Sequence, residues 1–135
     1  MQIFIYVRSV IEYMRLITRS FDNIPPEVLG YTIYVISTTK PQQHKDIPIL
    51  WLFTPTYDIQ IEYNLTKNPE RFNEKIAAIL RQRASAIEEW VKANSGEKIC
   101  LVCWENIESC HRRLVAEAIR QAGEKAGVTV TIETE

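Results

Sequence analysis

The sequence predicts an α/β protein: a single domain spanning residues 1–135, with a small, mostly parallel sheet flanked by helices. Residues 99–104 (ICLVCW) are apolar and β-rich without interruption, as in a strand covered on both faces. A short polar loop, residues 105–109, follows, and then Leu114, Val115, Ala118, Ile119, Ala122 and Ala126 recur at helical spacing, so strand, loop and helix make half of a βα unit. The length of 135 residues suits one domain, which buries roughly two-thirds of its unfolded surface. Internal repeats and low-complexity segments are absent.

In chain order, residues 2–7 are a short β-rich run. Residues 9–21 have Val10, Met14, Ile17 and Phe21 at helical spacing, which predicts a helix ended by Pro25-Pro26. Residues 31–37 (YTIYVIS) are a second strand, completing a right-handed βαβ unit with the first. Residues 38–48 are polar with two prolines and form a long loop over the sheet's carboxyl edge; His44 within it reads as a solvated loop histidine rather than a catalytic one. Residues 57–65 alternate like a strand through Ile59, Ile61 and Tyr63. Asn68-Pro69-Glu70 is a helix start, with a capping Asn, Pro at the first helical position and an acid at the positive end of the dipole. Phe72, Ile76, Ile79, Leu80, Ile87, Trp90 and Val91 continue it as one long packing helix closed by Asn94-Ser95-Gly96. Its cations Arg71, Lys75, Arg81 and Arg83 alternate with Glu70, Glu74, Glu88 and Glu89, the pattern of a solvated face rather than a nucleic-acid stripe. Gly123 and Gly127 flank the end of the helix after residue 109, and residues 128–132 alternate as a closing strand.

Lys plus Arg number 16 against 17 Asp plus Glu, and a net charge of −1 supplies no global field for a polyanion. No apolar run approaches the roughly 18 residues of a membrane span. Arg8 and Glu12 interrupt the N-terminal stretch before an apolar signal core forms, and the three cysteines are odd in number and clustered, so a cytoplasmic location without a membrane partner is expected. The sequon Asn64-Leu65-Thr66 is then a chance match.

Chemistry concentrates where the helix after the 99–104 strand begins. Ser109 is the expected N-cap, which puts Cys110, His111 and Arg112 in the first turn, where unpaired N–H groups and the macrodipole favour anions and a thiolate. Glu105, at the strand's end, is placed to act there as acid, base or orienter, or to brace the loop. Arg112 and Arg113 are candidate anion contacts. The spacing of Cys100 and Cys103 fits a redox or zinc motif, but residues three apart on a strand project to opposite faces, so neither metal nor cofactor is expected and Cys100 reads as a core residue. No arginine follows Cys103 or Cys110 by the six positions a phosphatase loop requires.

Leu101-Val102-Cys103-Trp104-Glu105 followed by Cys110-His111-Arg112 resembles the signature of domain-of-unknown-function family 488, closely over residues 99–119 and more loosely over 31–71, where Pro41 and Thr54-Pro55-Thr56 sit at comparable places. The resemblance implies an α/β fold, a helical turn rather than a strand in residues 57–65, and a Cys-His-Arg site. It names no substrate. Where many members carry an arginine after the second strand, this chain has Ser37-Thr38-Thr39-Lys40, leaving Lys40 as the available cation. The expected site is therefore catalytic Cys110, His111 and Glu105 with anion contacts from Arg112, Arg113, Ser109 and Lys40. Two functions fit it: a thiol-dependent hydrolase or transferase on a phosphorylated or nucleotide-like substrate, and a non-catalytic domain binding a nucleotide or nucleic acid. A third reading has Cys-His-Arg merely locking the loop.

Overall fold

A computed structural model describes residues 12–22, 24, 30–104 and 111–134. The expected strand at residues 2–7, the Pro25-Pro26 break and the loop at 105–109 lie outside the described residues. Four strands, β1 (Glu12–Ser20), β2 (Thr32–Val35), β3 (Lys98–Cys103) and β4 (Val128–Thr134), form an all-parallel sheet in the order β2-β3-β1-β4. Helices α1 (Tyr57–Thr66), α2 (Pro69–Gln82), α3 (Ala84–Ala93) and α4 (His111–Ala126) complete the α/β fold.

β3 is central, as its composition predicts: from Ile99 to Cys103 every residue is buried. Its alternation separates two cores. Ile99, Leu101 and Cys103 face the helices together with Met14, Leu16, Val115, Ile119 and Val91, whereas Cys100 and Val102 face away, against Ile17, Phe21 and Val35. Cys100 and Cys103 thus lie in different cores, as period-two geometry requires.

The stretch expected to be a helix at residues 9–21 is instead strand β1 over its described part. The spacing of Met14, Ile17 and Phe21 misleads because β1 lies between β3 and β4, so from Leu16 to Ser20 both of its faces are buried and no alternation survives to be read. Nor does β2 neighbour β1, since β3 is inserted between them. The outer edge of β2 is covered by residues 48–50, where Val35 N–H donates to Pro48 O and Leu50 N–H donates to Val35 O.

Residues 57–65 are helical. Ile59 and Tyr63, four apart, are buried on one side, and Ile61 is exposed on the other. The expected long helix divides at Arg83, whose φ of −92° and ψ of 7° leave the helical region between α2 and α3. Its start is as predicted, with Asn68 Oδ1 accepting from Arg71 N–H and Pro69 at the first turn. Gly123 and Gly127 flank the end of α4 as expected, Gly123 lying inside its last turn. A Cβ there would lie 2.6 Å from Val128 O and 2.7 Å from Val130 Cγ2, so the glycine lets α4 press against β4. Gly127, at φ +75°, makes the one-residue turn between them.

Candidate functional site

β2 and β3 run in parallel register, Val35 opposite Val102, so both strands end at one rim. A cavity of about 380 Å³ opens there. Ser37, Thr38 and Thr39 leave β2 along one side, Cys103 ends β3 and Trp104 follows it, and His111 is the first described residue of α4. The outer wall is α1, which presents Tyr57, Gln60, Ile61 and Asn64 at helical spacing, with Phe72 of α2 behind. This is where open parallel sheets hold ligands, beyond the carboxyl ends of their strands.

Thr39 organises the near wall. Its carbonyl accepts from Ser37 Oγ at 2.6 Å and from Trp104 Nε1 at 3.1 Å, and its hydroxyl lies 3.0 Å from the same indole nitrogen. The Trp104 ring also meets Phe21 edge-on at 5.0 Å, and Phe21 stacks on His44 at 5.8 Å. His44, half-buried in its loop, thus also packs on an aromatic ring. His111 is buried, with Nε2 2.8 Å from the carbonyl of Ile36. A carbonyl can only accept, so Nε2 carries a hydrogen, and in the neutral ring Nδ1 is the acceptor nitrogen. Among the described lining residues none is Lys, Arg, Asp or Glu; the surface consists of hydroxyls, amides, rings, the aliphatic chain of Ile61, one thiol and one imidazole.

Of the residues singled out from sequence, His111 lines this cavity. Arg112 is buried and Arg113 exposed, and neither is among the lining residues. Lys40 donates from Nζ to Ile47 O at 2.6 Å, tying the 38–48 loop to itself. Glu105, Ser109 and Cys110 lie outside the described residues. Cys103 lines the cavity, while burial on the opposite face pushes the Cys100 thiol up to about 11, the positive charge of Arg19 opposing this. Among the described residues no cluster of three or more His, Cys, Asp and Glu could hold a metal.

Trp104 leaves the strand expected to contain it and is 46% exposed. Tyr57, Gln60 and Asn64 went unread as lining residues; their spacing of three and four was the available signal, hidden by the stronger alternation of Ile59, Ile61 and Tyr63. Three of the cations named from sequence, Arg71, Lys75 and Arg83, are engaged within the fold. Glu62 of α1 pairs with both Arg71 and Lys75, which hold its carboxyl below the usual range, Lys75 first. Arg83 Nη1 donates to the carbonyls of Trp51, Leu52 and Thr54 at 3.1, 2.9 and 3.0 Å, fixing the segment that leads into α1. A second groove, of about 520 Å³, runs between α2, α3 and α4 past Leu80, Ile87 and Leu114, away from the carboxyl rim.

Fold and cavity together define an α/β protein with a polar, aromatic-rimmed cavity at the carboxyl edge of a parallel sheet. Comparison with protein-family models, curated proteins and solved structures finds no match. Among the described residues no helix is long and apolar enough to cross a membrane.

Proposed function

We propose that the protein binds a phosphorylated or nucleotide-like small molecule in the cavity at the carboxyl rim and acts on it as a thiol-dependent hydrolase or transferase, as a member of domain-of-unknown-function family 488. The observation that carries this reading is the position of His111, the first described residue of α4, which lines a cavity beyond the ends of two parallel strands. Cys110 is the neighbour of His111 in sequence, and helix starts in general favour a thiolate. The motif formed by residues 101–105 and 110–112 supports the family assignment. Cys110 is the nucleophile in this reading, His111 its proton acceptor, Glu105 an orienting acid or base, and Ser109, Arg112, Arg113 and Lys40 the candidate partners of the phosphate.

The lack of Lys, Arg, Asp and Glu among the described lining residues favours a second reading, in which the same cavity only retains a nucleotide or a nucleic-acid end. A thermal-shift and turnover screen of nucleotides and phosphate esters separates the two. Catalysis requires Cys110→Ser to abolish turnover while ligand-induced stabilisation survives. In a binding module Cys110→Ser is nearly silent and His111→Ala carries the loss. An identical ligand response in wild type, Cys110→Ser and His111→Ala, or no response in any, refutes the assignment of the cavity.

A further inference from the structure

We infer that the ligand of the rim cavity carries a planar heteroaromatic base, which stacks on Trp104 while its hydrogen-bonding edge is read by the Gln60–Asn64 amide pair; this rests on the cavity being the ligand site. Trp104 is held on two sides, by its indole N–H on Thr39 and edge-on against Phe21, yet 46% of it remains exposed where it lines the cavity. An exposed ring fixed in this way is a preorganised stacking surface, one that loses little freedom when a second ring covers it. Across the cavity, Gln60 Nε2 and Asn64 Oδ1 are hydrogen-bonded at 3.0 Å. That bond consumes one donor and one acceptor. Gln60 Oε1 remains as an acceptor, with one N–H of Gln60 and both N–H groups of Asn64 as donors, and reversing both amides still leaves an acceptor on one residue and donors on its neighbour. A neighbouring acceptor and donor match the neighbouring donor and acceptor on the edge of a nucleobase. A bare phosphate or sugar phosphate uses neither the ring nor this edge, and the absence of Lys and Arg from the described lining makes this part of the cavity a poor seat for the phosphate itself.

The test is isothermal titration of the full chain with adenosine 5′-monophosphate, uridine 5′-monophosphate, ribose 5-phosphate, inorganic phosphate and a short single-stranded RNA, using wild type, Trp104→Ala, Trp104→Phe and Gln60→Leu. The mononucleotides should bind wild type on the order of 10-fold or more tighter than ribose 5-phosphate, the margin expected of one base on one ring. Trp104→Ala should erase that margin, whereas Trp104→Phe should retain most of it. Gln60→Leu, on a different element, should reduce the margin and alter the preference between adenine and uracil, which gives the readout should Trp104→Ala fold poorly. Binding of the RNA alone, with the same loss in Trp104→Ala, also supports the inference and identifies single-stranded nucleic acid as the source of the base. Equal wild-type affinity for ribose 5-phosphate and the mononucleotides, or a margin that survives both Trp104→Ala and Gln60→Leu, overturns the inference and leaves the cavity as a phosphate-ligand site. No binding of any probe overturns both.

Discussion

Replacing Gly123 by alanine should destabilise the protein, although the same change in an exposed helix interior stabilises by about 1 kcal/mol. The added methyl would stand 2.6 Å from Val128 O and 2.7 Å from Val130 Cγ2, inside any real contact distance. Val130 is a side chain and can yield. The Val128 carbonyl cannot, because β4 is laddered to β1 from Val128 onward and is joined to α4 through Gly127 alone. Relief therefore requires α4 to lift from the sheet by several tenths of an ångström, prising open a core that includes Val115, Ile119 and Ala122. Overpacking of this kind costs typically about 1–3 kcal/mol, and the rigid neighbour argues for the upper end, so the net loss should be about 1–2 kcal/mol. Reversible thermal denaturation should show a midpoint lowered by roughly 3–7 °C. Adding Val130→Ala should recover only part of the loss, since the carbonyl remains. A Gly123→Ala variant as stable as wild type, or more so, would refute the close approach of α4 and β4.

Cys100 should impose a pH dependence on stability. Its thiol, ordinarily at 9.0, is pushed up to about 11 by burial, so the unfolded chain releases this proton first. Stability then falls as pH rises from about 9 to about 11, and denaturation of Cys100→Ala should show a shallower decline over that window; equal slopes would remove Cys100 as the cause. Arg83→Ala frees the carbonyls of Trp51, Leu52 and Thr54 and should cost about 1–2 kcal/mol, water replacing part of what is lost. Hydrogen exchange should quicken in the first turn of α1 above all; uniform change across the chain would contradict a local clamp.

How much of this was legible in the sequence depended on where each element lies in the sheet. β3 could be read because its apolar run is bounded by Lys98 and a polar loop, and the start of α2 because Asn68-Pro69 dictates local backbone geometry. β1 was misread for the very reason β3 succeeded. It is also covered on both faces, but Arg15, Thr18, Arg19 and Ser20 break the apolar run, and the burial of Arg19 depends on Glu133, far along the chain. α1 was ambiguous because an exposed isoleucine, Ile61, sits between two buried residues and imitates alternation. For the site, the motif contains one described residue, His111, that lines the rim cavity. The opposite wall could not be inferred, since Gln60 and Asn64 reach the cavity only through the packing of α1 on α2, held by Glu62, Arg71 and Lys75.

The strand order has a consequence for how the chain acquires its structure. Every strand pair joins segments distant in sequence: Thr32 meets Ile99, Arg15 meets Lys98, and Glu12 meets Val128. β1, though early in the chain, is flanked on both sides by strands that emerge from the ribosome after all of α1, α2 and α3. The helical excursion can form locally while β1 waits with both backbone edges unsatisfied, a state open to pairing with another nascent chain. Folding is therefore governed by late, long-range loop closure and should be slow for a protein of this size. Crowded polysomes, rather than the finished molecule, are where this protein is most exposed to aggregation.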